Sequence, residues 1–126
     1  MEGFDFVHRE TVRFRDVDAM GHVNNAVFLT YLEEARLAFL RPLGTDQSAM
    51  ILARAEIDFR APVRIGQQIE IGVRPLRVGE KSFDLEYALE VDGHRVADAK
   101  TVLVSYDYEA GRSVAVPSAW RESLIA

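Results

Sequence analysis

Alternation of apolar and polar side chains predicts five strands along this chain. The first predicted strand runs from Glu10 to Asp16, where Val12 and Phe14 alternate with arginines. A period of two is typical of a strand with one buried and one solvent-exposed face. The other four predicted strands follow a helix and cover 51–59, 69–75, 83–91 and 95–108.

The segment between the first two predicted strands has the character of a buried helix. From Ala26 to Arg41 apolar residues dominate, and the remaining positions form only a narrow polar stripe. Two of these positions, Glu33 and Arg36, are three residues apart and could form an ion pair on the helix surface. The polar stripe consists of Thr30, Glu33, Glu34 and Arg41.

Particular residues predict where the helix starts and ends and where the chain turns between strands. Asn24 or Asn25 can cap the start of the helix, and Pro42 with Gly44 is expected to end it. Asp92-Gly93 predicts a tight hairpin between the last two strands. The order of one strand, one long helix and four further strands predicts an α+β domain in which a single antiparallel sheet wraps around the helix.

Two further features of this predicted sheet concern its edges. Pro75 cannot donate a hydrogen bond to a neighbouring strand, so it predicts either an edge strand or a bulge. A sheet edge that is left open would need a partner subunit to cover it.

Composition narrows the classes of protein that the chain can belong to. Its 126 residues, 48% of them hydrophobic, suit one domain over 1–126. The absence of cysteine excludes a disulfide framework and a cysteine nucleophile. A net charge of −5 with interspersed signs argues against nucleic-acid binding. Since no apolar run approaches the roughly 18 residues of a membrane span, and no signal core is present, we expect a cytoplasmic protein.

The densest group of candidate chemical groups lies between the first predicted strand and the helix. At a helix start the backbone N–H groups lack intrahelical partners and lie at the positive end of the helix dipole. The stretch therefore predicts a site that stabilises a developing negative charge. It contains two carboxylates, a glycine, an imidazole and two carboxamides: Asp16, Asp18, Gly21, His22, Asn24 and Asn25.

The motif Asp-x-Asp-x-x-Gly-His-Val-Asn-Asn at 16–25, followed by Phe-x-x-Tyr-x-Glu-x-Ala-Arg at 28–36, resembles the signature of hotdog-fold acyl-CoA thioesterases related to hydroxybenzoyl-CoA thioesterase. The resemblance is close over 13–36. It implies a hotdog fold, with a five-stranded antiparallel sheet wrapped around a long central helix. It also implies hydrolysis of acyl-CoA to free acid and coenzyme A, without a metal or a bound cofactor, since coenzyme A is part of the substrate.

The resemblance also implies roles for individual residues. Asp18 matches the catalytic carboxylate, which either attacks the thioester carbonyl or activates a water, and the backbone N–H of Asn25 matches the oxyanion donor. Gly21 would let the backbone approach the thioester. His22 and Asn24 would border the acyl or pantetheine path.

The resemblance also implies contacts to the rest of the substrate, but this chain has only some of the residues for them. Tyr31 is the aromatic residue best placed to show a hydroxyl to the site. In the family that the motif resembles, the segment matching 78–83 can carry adjacent arginines that bind the phosphates of coenzyme A. This chain has Gly79 and Glu80 there, and only Lys81 remains. Coenzyme A held by other cations, such as Arg77 or Arg112, or an acyl carrier protein substrate therefore stays open. The family further implies a homodimer or homotetramer, with sheets paired between subunits and the site at the interface.

Each of these interpretations has an alternative. Asp18 could cap a turn, since aspartate often accepts hydrogen bonds from its own backbone. Asp16, Asp18 and His22 could hold a divalent metal, although no backing set of ligands is evident. Paired aspartates also occur in magnesium phosphohydrolases, but a chain with one long helix does not suit their alternating strands and helices. A hotdog protein that binds acyl thioesters without hydrolysing them is the main rival, and the carboxylate of Asp18 argues against it.

Overall fold

The computed structural model describes residues 1–43 and 49–125. Single turns of 3-10 helix at Phe14–Asp16 and Arg41–Leu43 flank the long helix. Within the two described ranges, no helix is long and apolar enough to cross a bilayer. In chain order the elements are β1 (Phe6–Thr11), α1 (Val27–Leu40), β2 (Met50–Phe59), β3 (Gln68–Val78), β4 (Ser82–Val91), β5 (His94–Asp107), β6 (Arg112–Ser113) and α2 (Ser118–Ile125).

The five long strands form one antiparallel sheet in the order β1-β3-β4-β5-β2, and the short β6 pairs with the end of β5. Helix α1 packs against β1 and β3. The sheet therefore wraps around α1, which confirms the predicted α+β class and the hotdog architecture. β1 and β2 are its two edges.

The hairpin and the bulge follow from local sequence. Asp92 and Gly93 have φ angles of 51° and 79°, as a tight turn between β4 and β5 requires. The pairing of β3 with β4 shifts register between Pro75 and Arg77, so the predicted bulge is confirmed. The edge alternative also holds locally, because β1 pairs with β3 only up to Val73 and leaves Pro75 paired with β4 alone.

The first predicted strand, in contrast, was misplaced along the chain. β1 ends at Thr11, and Phe14 is 82% exposed although it continues the period-two pattern. The backbone N–H of Arg13 donates to Asp16 Oδ2 at 3.0 Å, and the backbone N–H of Asp16 donates to the carbonyl of Arg13 at 2.9 Å. These two local bonds close a turn that hydrophobic periodicity does not reveal.

Helix α1 is shorter and less buried in the single chain than predicted. It begins at Val27 and ends at Leu40, and Pro42 lies in the 3-10 turn that follows. Leu29 is 43% exposed on the side away from the sheet. Gly44, predicted to take part in ending the helix, lies outside the described residues. The buried side chains are Phe28, Tyr31, Leu32, Ala35, Arg36 and Leu40.

The predicted surface pair between Glu33 and Arg36 is absent from the described residues, because Arg36 points into the core. The Arg36 side chain is 6% exposed and donates from Nη1 to the hydroxyl of Tyr87 at 3.3 Å. That hydroxyl also lies 2.6 Å from Oγ1 of Thr101. Burial raises the pKa of Tyr87. A buried polar network thus joins α1 to β4 and β5.

Candidate active site

A closed loop between Val17 and Val23 presents Asp18. The two valines form an isolated β-bridge, the backbone N–H of Asp18 donates to the carbonyl of His22 at 2.8 Å, and that of Gly21 donates to the carbonyl of Asp18 at 3.0 Å. Gly21 has a φ of +80°, and no atom lies within 4 Å of the position that a Cβ would take there. Backbone conformation, and not crowding within the chain, therefore requires glycine at this position.

The carboxylate of Asp18 caps its own loop. Oδ1 accepts hydrogen bonds from the backbone N–H groups of Met20 at 2.8 Å and His22 at 3.2 Å. The side chain is exposed, and Oδ2 accepts no hydrogen bond from the described residues. The turn-capping alternative is thus correct for one oxygen, while the other oxygen is available to a substrate or a water.

Asn24 connects this loop to the start of α1. Its backbone N–H donates to the carbonyl of Asp16 at 2.9 Å, and its side-chain Oδ1 accepts from the backbone N–H of Ala26 at 2.9 Å. Its carbonyl accepts from the backbone N–H of Val27, where the helix begins. The N-cap residue is Ala26, which makes no side-chain capping bond, so the prediction that Asn24 or Asn25 is the N-cap is wrong. Asn24 instead closes the turn that leads into the helix.

The backbone N–H of Asn25 donates no hydrogen bond within residues 1–43 and 49–125. It belongs to the first turn before α1, where a free donor and the helix dipole both favour negative charge. Asn25 also lines a cavity of about 260 Å³, which we call the helix-start cavity. The other residues that line it are Val23, Phe28, Phe59, Arg60, Ala61 and Pro62.

Most of the wall of the helix-start cavity was not predicted. Phe59 packs edge-on against Phe28, with ring centroids 5.1 Å apart. Arg60 lies beside it and forms an ion pair with Asp98, a hydrogen bond that raises the pKa of Arg60. These residues follow directly from the end of β2, and only the topology of the sheet shows that this end lies against the start of α1. Pro62, which interrupts the strand pattern, was the one available signal in the sequence.

Tyr31 does not present its hydroxyl to the helix-start cavity. The hydroxyl donates to Oδ2 of Asp16 at 2.8 Å, and the same oxygen accepts from the backbone N–H of Arg13. Tyr31 and Asp16 line a second cavity of about 320 Å³, the polar cavity, which shares no residue with the first. The bond therefore holds the beginning of the loop against α1. The remaining residues of the polar cavity are Glu10, Thr11, Arg13, Arg15, Thr30 and Glu34.

We expect Tyr31→Phe to lower the free energy of unfolding near neutral pH. At alkaline pH the variant should lose less stability with rising pH than the wild type does. Burial, and then the hydrogen bond to Asp16, raise the pKa of Tyr31 above its ordinary range. Between the unfolded pKa of about 10 and the higher folded value, only the folded state keeps this proton, so stability falls as the pH rises. The variant should lose about 1 kcal/mol near neutral pH, from the missing hydrogen bond.

Urea unfolding on both sides of the ordinary tyrosine pKa tests this expectation. Tyr108→Phe is the matched control, because Tyr108 is 62% exposed. An equally steep alkaline loss of stability in Tyr31→Phe and the wild type would contradict the assignment.

Lys81 lies far from the helix-start cavity within one chain. It precedes Ser82, which pairs with Val104 on β5, whereas Phe59 at the end of β2 pairs with Ala97. The distance along β5 between positions 97 and 104 is about 23 Å at the usual rise per residue. A single chain therefore does not bring Lys81 together with the loop residues.

Arg77 and Arg112, the other cations considered for binding the phosphates of coenzyme A, differ in whether they already have partners. Arg77 donates from Nη2 to Ser82 Oγ and to Asp84 Oδ1, both at 2.9 Å, and the hydrogen bonding to Asp84 raises its pKa. Arg112 is exposed on β6. For the metal alternative, no three His, Asp or Glu side chains in the described part of the chain lie close enough together to hold an ion.

Comparison with known proteins places this geometry in a family. Residues 12–124 match the model of the thioesterase-like superfamily. The long-chain acyl-CoA thioesterase FadM of Escherichia coli is 31% identical over 121 residues, which cover 90% of this chain and 92% of that protein. The 1,4-dihydroxy-2-naphthoyl-CoA hydrolase of Nostoc punctiforme is 34% identical over 110 residues, covering 81% of this chain and 74% of that protein.

A solved structure agrees with these relatives. A thioesterase from Thermus thermophilus, crystallised with coenzyme A and Zn, superposes with a TM-score of 0.90 at 38% identity. The match covers 98% of this chain and 94% of that one. Together with the family model, it shows that this chain is a hotdog-fold member of the thioesterase-like superfamily.

Proposed function

We propose that this chain hydrolyses an acyl-CoA thioester to a free acid and coenzyme A, with Asp18 as the catalytic carboxylate and the backbone N–H of Asn25 as the oxyanion donor. The observation that carries the proposal is the unpartnered N–H of Asn25 in the described structure, at the start of α1 and beside the helix-start cavity. One well-placed donor of this kind contributes about 3 kcal/mol to transition-state stabilisation.

Two routes are open to Asp18. In the first, Oδ2 attacks the carbonyl carbon, the C–S bond breaks to release coenzyme A thiolate, and water then hydrolyses the acyl anhydride. In the second, Asp18 takes a proton from a water that attacks the carbonyl directly. Both routes pass through a negatively charged oxygen, which the N–H of Asn25 would stabilise.

The neighbouring loop residues support substrate binding. Gly21 keeps the loop closed, Asn24 fixes the start of α1, and the half-buried His22 stays in the proposed path of the acyl or pantetheine group. The helix-start cavity is walled mainly by apolar side chains. We therefore propose an apolar acyl group. The names of the two relatives, one for a long chain and one for a naphthoyl ring, leave its shape open.

The proposed enzyme acts as a dimer, because β2 leaves one edge of the sheet unpaired. Pairing of β2 with an antiparallel second copy would continue the sheet between subunits. It would also bring the start of the partner's β4, with the partner's Lys81, towards the end of β2 that lines the helix-start cavity. Lys81 would then contact the phosphates of coenzyme A from the other subunit.

Two features of the chain are compatible with alternative functions. Because Oδ1 of Asp18 is engaged by its own loop, a protein that binds acyl thioesters without hydrolysing them is one alternative. Because Gly79 and Glu80 supply no positive charge beside Lys81 for the phosphates of coenzyme A, an acyl carrier protein substrate is another.

Thiol release from a panel of short, long, branched and aromatic acyl-CoA thioesters tests the proposed function. We expect turnover on at least one of them without added metal or cofactor. Titration of the same thioesters by calorimetry separates the alternatives. Binding without turnover would establish a non-catalytic protein, and hydrolysis of acyl carrier protein thioesters alone would correct the substrate.

A further inference from the structure

We propose that Arg121, on helix α2, is a positioning residue that orients the turn between β3 and β4 so that two backbone N–H groups and Lys81 bind the phosphates of coenzyme A. The inference rests on the proposed function, in which Lys81 contacts these phosphates, and it adds α2 to the substrate site. The turn consists of residues 79–81, between the end of β3 at Val78 and the start of β4 at Ser82.

The guanidinium of Arg121 is bonded to the backbone of this turn. Its Nη2 donates to the carbonyl of Gly79 at 2.7 Å and to the carbonyl of Glu80 at 3.1 Å. Within the two described ranges Arg121 forms no ion pair with a carboxylate. The side chain therefore spends its hydrogen bonds on the turn and keeps its positive charge there.

Apolar packing anchors α2 beside the turn. Trp120 is buried, and its ring packs edge-on against Phe83 with the ring centroids 6.0 Å apart. Leu124, four residues later and so on the same face of α2, is also buried. Because Phe83 is the second residue of β4, this packing holds Arg121 within reach of the turn.

All three carbonyl groups of the turn accept hydrogen bonds. Besides the bonds from Arg121, the carbonyl of Glu80 accepts from the backbone N–H of Val116 at 2.9 Å, and that of Lys81 accepts from the backbone N–H of Ser105 at 2.9 Å. Val116 lies between β6 and α2, and Ser105 belongs to β5. The turn is thus held through its carbonyls by the elements behind it.

The backbone N–H groups of Glu80 and Lys81, in contrast, donate no hydrogen bond to any described residue. In a planar trans peptide the N–H points opposite to the carbonyl of the preceding residue. Since the carbonyls of Gly79 and Glu80 point to Arg121, the N–H groups of Glu80 and Lys81 point away from α2. Successive unpaired N–H groups in a turn favour the binding of an anion.

The side chains of the turn do not supply this preference by themselves. Lys81 is exposed and forms no ion pair within residues 1–43 and 49–125, but the neighbouring Glu80 is exposed as well and its carboxylate repels a phosphate. Arg77 is already paired with Asp84. Phosphate binding at the turn therefore depends on the two N–H groups, whose direction Arg121 sets.

Arg121→Met should raise the KM for the best acyl-CoA about tenfold and leave kcat unchanged, because contacts to the phosphates are the same in the ground state and the transition state. The KM for the same acyl group on pantetheine, which has no phosphate, should not change. Arg9→Met is the matched control, since it removes the same charge near the other end of β3, where Arg9 pairs with Glu70. An unchanged KM for acyl-CoA in Arg121→Met, or an equal rise for acyl-pantetheine, would overturn the inference.

Amide NMR signals distinguish positioning by Arg121 from direct phosphate binding by Arg121. In the wild type the amide signals of Glu80 and Lys81 should shift on titration with coenzyme A and not with pantetheine. At saturating coenzyme A these shifts should be several-fold smaller in Arg121→Met. Shifts of equal size in the two proteins at saturation, or no shift of either amide in the wild type, would overturn the inference.

The titration with free coenzyme A needs no turnover, so the two proposals fail separately. A protein that hydrolyses no thioester, but in which the amide signals of Glu80 and Lys81 respond to coenzyme A in an Arg121-dependent way, refutes only hydrolysis. An active protein in which neither KM nor these signals depend on Arg121 refutes only the positioning of the turn.

Discussion

Replacing Asp18 with asparagine should lower the turnover of acyl-CoA about a hundred- to ten-thousandfold while the fold is retained. Asparagine keeps an Oδ1 that can accept the same hydrogen bonds from the backbone N–H groups of Met20 and His22. The loop should therefore keep its conformation. What is lost is the negative charge, without which position 18 can neither attack a carbonyl nor accept a proton from water.

Saturating kinetics with the best acyl-CoA substrate measure this effect, and thermal unfolding shows that the variant is folded. Asp16→Asn is the matched control, because it makes the same chemical change two residues earlier. It keeps an oxygen that can accept from the backbone N–H of Arg13 and the hydroxyl of Tyr31. Near-normal turnover in folded Asp18→Asn would contradict the mechanism. Equal losses in both variants would assign the effect to loop conformation instead of chemistry at Asp18.

The strands were predictable where side-chain alternation coincides with burial. On β4 the helix-facing residues Phe83, Leu85 and Tyr87 are all buried, and the sequence shows that period directly. The same rule misplaced the first strand because Phe14 fits the period but is exposed in a turn. Backbone hydrogen bonds between Arg13 and Asp16 determine that turn, and hydrophobic periodicity carries no information about them.

The residues of the candidate site likewise fall into those that the sequence predicted and those that only the fold brings to the site. Asp18, Asn24 and Asn25 were predictable because the loop and the helix start that hold them are adjacent in sequence. Phe59 and Arg60 were not, since they reach the helix-start cavity only through the position of β2 at the sheet edge. The sequence likewise contained no signal that Lys81 lies at the other end of the sheet, because strand pairing sets that distance.

The buried polar network of Arg36, Tyr87 and Thr101 is a further feature that the sequence misrepresented. Arg36 looked like a surface partner of Glu33, but in the structure it shares the hydroxyl of Tyr87 with Thr101. The Arg36, Tyr87 and Thr101 side chains are 6%, 1% and 1% exposed. Helix α1 carries this arginine and begins two residues after the oxyanion donor, so the network links that helix to β4 and β5.

Tyr87→Phe should therefore lower the free energy of unfolding by about 2–3 kcal/mol, since it removes a hydrogen bond to a buried cation and leaves two polar groups without their shared partner. Urea unfolding near neutral pH measures the loss, with the exposed Tyr108→Phe as the control that should change little. Adding Arg36→Met to Tyr87→Phe should recover part of the stability, because no uncompensated cation then remains in the core. A loss in Tyr87→Phe no larger than in Tyr108→Phe, or a double variant that is less stable than either single variant, would show that the network does not hold α1 in place.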